Sequence, residues 1–194
     1  MRQIVVEQLN ESARVKQQTA ELLADAIVGA SQMIIDSYRR GGKLLLIGNG
    51  GSAADAQHIA GELVCRFKLE RKALPALALT TNTSVLTALG NDYHYDIVLS
   101  RQVEAFINHP ADVLIAISTS GNSSNIIRAV EAAKSRGASV IGFLGRGGGK
   151  LKAMVDLALV VPSDDTQRVQ ETHITIGHIM CDLIEQTLFR EKVI

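Results

Sequence analysis

His58 and Glu62 stand four residues apart, a spacing that puts an imidazole and a carboxylate on one face of a helix, one turn above the other. Alone, such a pair is equally a hydrogen-bonded feature of a surface. What lifts it is its place on the segment that leaves a glycine-rich turn. Further along, Gln170 and His178 are about 80° apart around a helix axis, so one broad face presents both. His173 competes for the same role or stands as a polar residue on the outer side. His, Glu and His are ordinary zinc ligands and Gln a poor one, so a set of His58, Glu62, Gln170 and His178 is of the open, catalytic type. Cys65 falls on the His58 face and reads as a small buried thiol.

Two turns supply binding groups. Gly48-Asn49-Gly50-Gly51-Ser52-Ala53 follows the apolar run Leu44–Ile47 and opens an alanine-rich helix. A strand, a glycine turn and a helix start make an anion site, because free N–H groups and the helix dipole point at whatever lies above them. The turn fits G-x-G-x-x-A, the dinucleotide fingerprint, but the second strand ends Leu79-Thr80-Thr81-Asn82 with no acid to hold a ribose. That argues against a dinucleotide. The second turn, Ser118-Thr119-Ser120-Gly121-Asn122-Ser123-Ser124-Asn125, offers five hydroxyls at another helix start. One cap uses one side chain. Such density suits a phosphate monoester held by hydroxyls and N–H groups.

The elements that carry these groups alternate. Apolar runs at Lys43–Ile47, Ala76–Leu79, Asp112–Ile117, Ser139–Phe143 and Leu157–Val161 read as strands. Between them lie predicted helices at Ser52–Phe67, Ser84–Leu89, Tyr95–Phe106, Asn122–Arg136 and Leu151–Val155, and a last one runs from Thr166 to Arg190. Continuously apolar strands separated by helices predict a parallel, doubly wound α/β sheet, with ligands beyond the carboxyl ends of the strands. A long helix from about Val6 to Arg40, ended by Gly41-Gly42, has more apolar surface than one sheet needs, which points to subunit packing or to an extra layer on the monomer.

The 194 residues fit one domain. Twenty basic residues balance twenty acidic ones, so there is no electrostatic footprint for nucleic acid or an anionic membrane. No apolar stretch approaches a membrane span, and the first residues lack the apolar core of a signal peptide. Cys65 and Cys181 fit no paired motif and read as reduced core thiols, which places the protein in the cytoplasm.

Taken together, Gly48–Ser52, Gln57-His58, Glu62, Leu74–Ala76, Ala78–Thr81, Gly90–Tyr93, Ser100–Glu104, Ser118–Ser123, Val161–Ser163 and Arg168–Glu171 with His173 and His178 resemble the bacterial phosphoheptose isomerases of the sugar isomerase (SIS) group. The likeness covers nearly the whole chain; only the first ~40 residues lack a specific motif, and many matched segments in one order are far more specific than any one alone. It implies a single SIS domain over residues 1–194, with 1–40 as an N-terminal helical segment for oligomer packing and 41–194 as a three-layer, flavodoxin-like core around five parallel strands. It implies conversion of sedoheptulose 7-phosphate to D-glycero-D-manno-heptose 7-phosphate, the first step towards activated heptose for lipopolysaccharide or another surface polysaccharide. By motif, Asn49, Gly50, Gly51, Ser52, Asn91 and Asp92 would contact the sugar, and Ser118, Thr119, Ser120 and Ser123 the phosphate. His58, Glu62, Gln170 and His178 resemble the zinc set, one ion per subunit, with Glu62 and His178 the acid/base pair and Glu62 and Gln170 also touching substrate. The family implies a homotetramer with active sites between subunits.

Two positions depart from many relatives: Asn82 stands where an Asp is frequent, and Gln167 where some carry an acid. The chemistry of the reaction asks for a base near C1 and C2 and an acid near the oxygens, so that a proton moves through an enediol. Glu62 fits the base and His178 the acid. A non-catalytic SIS protein of the replication-initiator-binding type, or a sugar-phosphate sensor, are the competing readings; retention of His58, Glu62 and His178 argues against the first.

Overall fold

The computed structural model describes residues 1–190. Five strands form one parallel sheet: β1 (Leu44–Ile47), β2 (Ala76–Ala78), β3 (Val113–Ser118), β4 (Ser139–Leu144) and β5 (Leu157–Val160), in the order β2-β1-β3-β4-β5. The order reverses beside β1, which puts a crevice over the carboxyl ends of β1 and β3. Helices α1 (Arg2–Arg39), α2 (Gly51–Val64), α3 (Thr83–Asp92), α4 (Ser100–Phe106), α5 (Ser124–Ser135) and α6 (Thr166–Phe189) cover it.

Alternation along each strand divides the core in two. Leu44, Leu46, Val113, Ile115, Ile117 and Phe143 pack with Ile34, Ile59, Leu63 and Ile176, so α1, α2 and α6 share one face. Leu45, Ile47, Leu114, Ala116 and Val140 pack with Val103, Ile126 and Val130 of α4 and α5 on the other. Every residue of β1 and β3 is buried, as continuous apolar runs require. The expected three-layer α/β architecture is what the chain forms.

Several boundaries differ from the sequence expectation. α1 begins at Arg2. α2 stops at Val64 rather than Phe67 because the Arg71 guanidinium takes the carbonyls of Glu62 (2.8 Å) and Leu63 (2.6 Å). Cys65 therefore sits just past the helix end and is exposed, not the buried thiol expected; Cys181 is buried. Tyr95–Phe106 is not one helix but a 3-10 turn, Tyr95–Ile97, followed by α4, and Leu151–Val155 is a 3-10 turn over Lys150–Ala153.

Candidate active site

Two helices that start at the carboxyl edge of the sheet lack a side-chain cap. α2 starts at Gly50 and α5 at Ser123, and in neither does the N-cap side chain bond the first turn. α3 and α6, by contrast, are capped by Asn82 and Asp165. In α2 the Ser52 and Ala53 N–H groups turn back to the Asn49 carbonyl (3.0 and 3.3 Å), which leaves those of Gly50 and Gly51 for a ligand, as the uncapped start of α5 leaves its own. Gly48 has no room for a side chain, since a Cβ would lie 2.4 Å from the Ser52 carbonyl oxygen; that contact folds the turn tightly onto α2.

The glycine turn and the hydroxyl loop are tied together. Asn49 Nδ2 donates to Asn125 Oδ1 (2.9 Å) and Asn125 Nδ2 donates back to Asn49 Oδ1 (2.8 Å). Tyr95 Oη adds a bond to the same Asn49 oxygen (3.2 Å). The Asn49 side chain is thus spent on the turn itself, which leaves its backbone to face a ligand. Asn125, buried at the start of α5, escaped the sequence reading because nothing in a run of Ser and Asn marks which amide turns inward. Within the loop Ser118 Oγ accepts the Gly121 N–H (3.1 Å) and lies 3.5 Å from Ser123 Oγ, while Ser120 Oγ accepts the Asn122 N–H. Thr119 and Ser120 are partly exposed, Ser118 is buried, and Ser52 is buried in the first turn of α2.

The metal-ligating candidates converge from two helices. His58 Nε2 lies 3.1 Å from Glu62 Oε1 and 3.2 Å from His178 Nε2. The His58 and His178 rings meet edge to face with centroids 5.0 Å apart. One donor atom from each of His58, Glu62 and His178 falls within 4.8 Å of the others. Tetrahedral zinc with bonds of about 2.0–2.1 Å has ligand–ligand edges of about 3.3 Å, so this donor set fits the ion. Gln170 instead meets the start of α2, about two turns before His58: a Cβ on Gly51 would lie 2.6 Å from Gln170 Nε2. Asn91 and Asp92 sit at the end of α3, and among the described residues their side chains bond only each other, Asn91 Nδ2 to Asp92 Oδ1 at 2.9 Å.

Other groups resolve what the sequence left open. His173 faces inward rather than outward: Nε2 meets the Leu144 carbonyl at 3.1 Å, Nδ1 is buried without a partner, and burial pushes its pKa down to about 4. It is a neutral core histidine, not a competitor for the site. Asp55, one turn before His58, is half-buried with an unpartnered Oδ2, and burial pushes its carboxyl up to about 6, partly offset by His58. An acid in an alanine-rich run gives no sequence signal of such burial. Phe67 stacks on His178, with centroids 5.6 Å apart and planes 25° from parallel. Asn82 caps α3 through Oδ1 to the Val85 N–H (3.1 Å), a bond Asp makes as well, and Gln167 is exposed; the two departures leave this geometry intact. A cavity of about 620 Å³ lies elsewhere, lined by Val85, Leu89, Phe106 and Arg136, and contains none of these groups. Converging chemistry, not volume, marks the site.

The sequence model of the SIS domain matches residues 8–145. A phosphoheptose isomerase of Roseiflexus sp. (strain RS-1) is 53% identical over 187 residues, covering 96% of this chain and 94% of the relative. One from Clostridium acetobutylicum is 60% identical over 162 residues, covering 84% and 82%. Among solved structures, the phosphoheptose isomerase of Neisseria gonorrhoeae superposes with a TM-score of 0.90 at 46% identity, covering 95% of this chain and 98% of that one.

Proposed function

The chain belongs to the phosphoheptose isomerases of the SIS domain family, and from that premise we propose that it converts sedoheptulose 7-phosphate to D-glycero-D-manno-heptose 7-phosphate. The observation that carries the reading is the meeting of His58, Glu62 and His178 from two helices far apart in the chain, with His58 Nε2 3.1 Å from Glu62 and 3.2 Å from His178. A sensor or a passive binding module has no need of that cluster.

In this reading Ser118, Thr119, Ser120 and Ser123, with the free N–H groups of α5, grip the phosphate, remote from the reacting carbons, and so orient the other end of the sugar. The Asn49-Gly50-Gly51-Ser52 turn faces the hydroxyls, with the N–H groups of Gly50 and Gly51 as donors, Asn91 and Asp92 added from α3 and Gln170 from α6. Glu62 removes the C1 proton and returns it to C2; His178 supplies and recovers the proton at the oxygens. A zinc ion, held one per subunit by His58, Glu62, Gln170 and His178, would stabilise the negative charge of the enediolate. Glu62 holds two assignments, base and ligand, and coordination weakens a carboxylate as a base. The reaction would open the route to activated heptose for lipopolysaccharide or another surface polysaccharide, in the cytoplasm, where two free cysteines remain reduced. We further propose a homotetramer with active sites between subunits; the exposed Ile4, Val5, Leu9, Leu22 and Val28 of α1 support it.

The test is an assay of purified protein on sedoheptulose 7-phosphate. An aldose product is expected, together with loss of turnover after dialysis against a chelator and its return with zinc. The Glu62→Gln variant should keep its oligomeric mass and lose turnover. Near-normal activity in that variant would sink the assignment of Glu62.

A further inference from the structure

Between α2 and β2, residues 65–75 form no helix or strand, yet they lie beside the site. One carboxylate organises them. Glu185 Oε1 accepts the Phe67 N–H (2.9 Å) and Arg71 Nε (3.0 Å), and Oε2 accepts the N–H groups of Lys68 (2.7 Å) and Leu69 (2.8 Å). The side chains of the Arg71–Glu185 pair are only 2% and 1% exposed. Arg71 in turn donates to the carbonyls of Glu62 and Leu63, at the end of α2. Glu185 follows His178 on α6 by seven residues, two turns, and so lies on the same face of the helix.

A buried ion pair is weak evidence for stability, because desolvation cancels much of the attraction and apolar residues of the same volume serve as well. This pair does something apolar residues do not. It fixes three consecutive N–H groups and the last carbonyls of α2 in one geometry, and Phe67 is the first residue of that set. The Phe67 ring then covers one face of His178, while His58 meets the same imidazole edge on.

We propose that Glu185 and Arg71 are positioning residues of the His58–Glu62–His178 cluster, acting through the Phe67 ring on His178 and through the end of α2 that carries Glu62. The pair links the two helices of the cluster beneath its ligand atoms, so the imidazole plane is set before substrate arrives. This rests on the isomerase reading only for its kinetic consequence.

The experiment follows the His178 ring protons by NMR in metal-free protein, alongside zinc competition against a chromogenic chelator and steady-state kinetics on sedoheptulose 7-phosphate. Wild-type His178 should carry the ring-current shift of a stacked Phe67. In Glu185→Gln and Arg71→Lys that shift should diminish, and zinc affinity should fall about 10- to 100-fold, the usual effect of losing an outer-shell support. Phe67→Leu leaves the clamp intact, so it should melt within a few degrees of wild type while kcat drops about tenfold and KM stays within about twofold. A folded Glu185→Gln protein with an unchanged His178 shift overturns the proposal, and so does Phe67→Leu with wild-type kcat and zinc affinity. If Glu185→Gln fails to fold, Arg71→Lys and Phe67→Leu decide. If wild type does not turn over the sugar, the isomerase reading fails, while the ring shift still decides the positioning.

Discussion

The Leu144 carbonyl determines what His173 is. It accepts the Nε2 proton, so Nδ1 is left as a bare acceptor in the core, and charging the ring would bury an unpaired cation. The pKa of His173 falls to about 4, against about 6.5 for an unfolded histidine. The neutral ring's contribution is therefore complete above pH 6.5 and is lost as pH falls towards 4. Asp55 works in the opposite sense over an overlapping range: its carboxyl is raised to about 6, so protonation favours the fold. The two separate in a difference measurement. His173→Gln keeps a donor for Leu144 and does not titrate, so the stability gap between wild type and variant should shrink by roughly 2 kcal/mol in favour of the variant between pH 7 and pH 4.5. Urea unfolding at the two pH values reads it, and an unchanged gap counts against a buried neutral ring. The contrast with His58 and His178 shows what was legible at this scale. Spacing put His58 beside Glu62 and His178 on a usable face, but the same periodicity left His173 open, because only the position of β4 decides which imidazole meets a carbonyl. Asn125, Asp55 and Phe67 were invisible for the same reason: their partners are distant in sequence and of ordinary type.

The close approach of α2 and α6 sets the distance between the two imidazoles. Gly177, next to His178, faces Ile59, next to His58, and a Cβ there would lie 2.6 Å from Ile59 Cδ1. Glycine inside a helix costs about 1 kcal/mol relative to alanine, so a mid-helix Gly already hints at a packing reason. Gly177→Ala recovers that propensity but crowds a buried isoleucine, a change of about 1–3 kcal/mol in the other direction. The expected outcome is a modest loss of stability and a loss of activity of tenfold or more, since the helices separate where His58 and His178 meet. Adding Ile59→Val, which removes the nearer atom, should recover part of both. A Gly177→Ala protein that is more stable than wild type and fully active would show that the helix spacing is not critical. The elements themselves were largely legible. Five apolar runs became five parallel strands, and the central ones, β1 and β3, are buried on both faces and need no alternation to be seen. The turns around α4 were not, because a 3-10 turn and an α-helix place apolar residues at nearly the same spacing. The end of α2 was set by Arg71, which no local pattern in residues 52–67 announces.

One chain does not enclose its own site. The cavity against the glycine turn, lined by Gly48, Asn49, Gly50 and Tyr95, is about 80 Å³, well below the roughly 300 Å³ at the small end of ligand pockets. The His58–Glu62 pair is open as well, with His58 about half exposed. Meanwhile α1 spans 38 residues, about 57 Å, and buries little before Val15. Its contacts to the body near the start are polar: Arg168 donates to the Gln8 carbonyl (2.8 Å) and Ser12 to Glu171 (2.7 Å). These bonds fix the helix in direction while Ile4, Val5, Leu9 and Leu22 remain in solvent. Ile4 and Leu22 are eighteen residues apart, five full turns, and so point the same way, on either side of the buried Val15. Apolar side chains held in place but left in solvent are what a second copy of the helix would bury. Leu22 is 68% exposed, and a surface substitution there changes a monomer's stability by no more than about 0.5 kcal/mol. Leu22→Glu should therefore leave the far-ultraviolet circular dichroism of the chain unchanged while light scattering shows a fall from the proposed tetramer towards smaller species. Because the neighbouring subunit is expected to wall the site, turnover should fall with the mass and return as protein concentration rises. Unaltered mass and activity in Leu22→Glu would mean that these side chains are simply solvated. A lowered mass with full activity would mean that each chain completes its site alone.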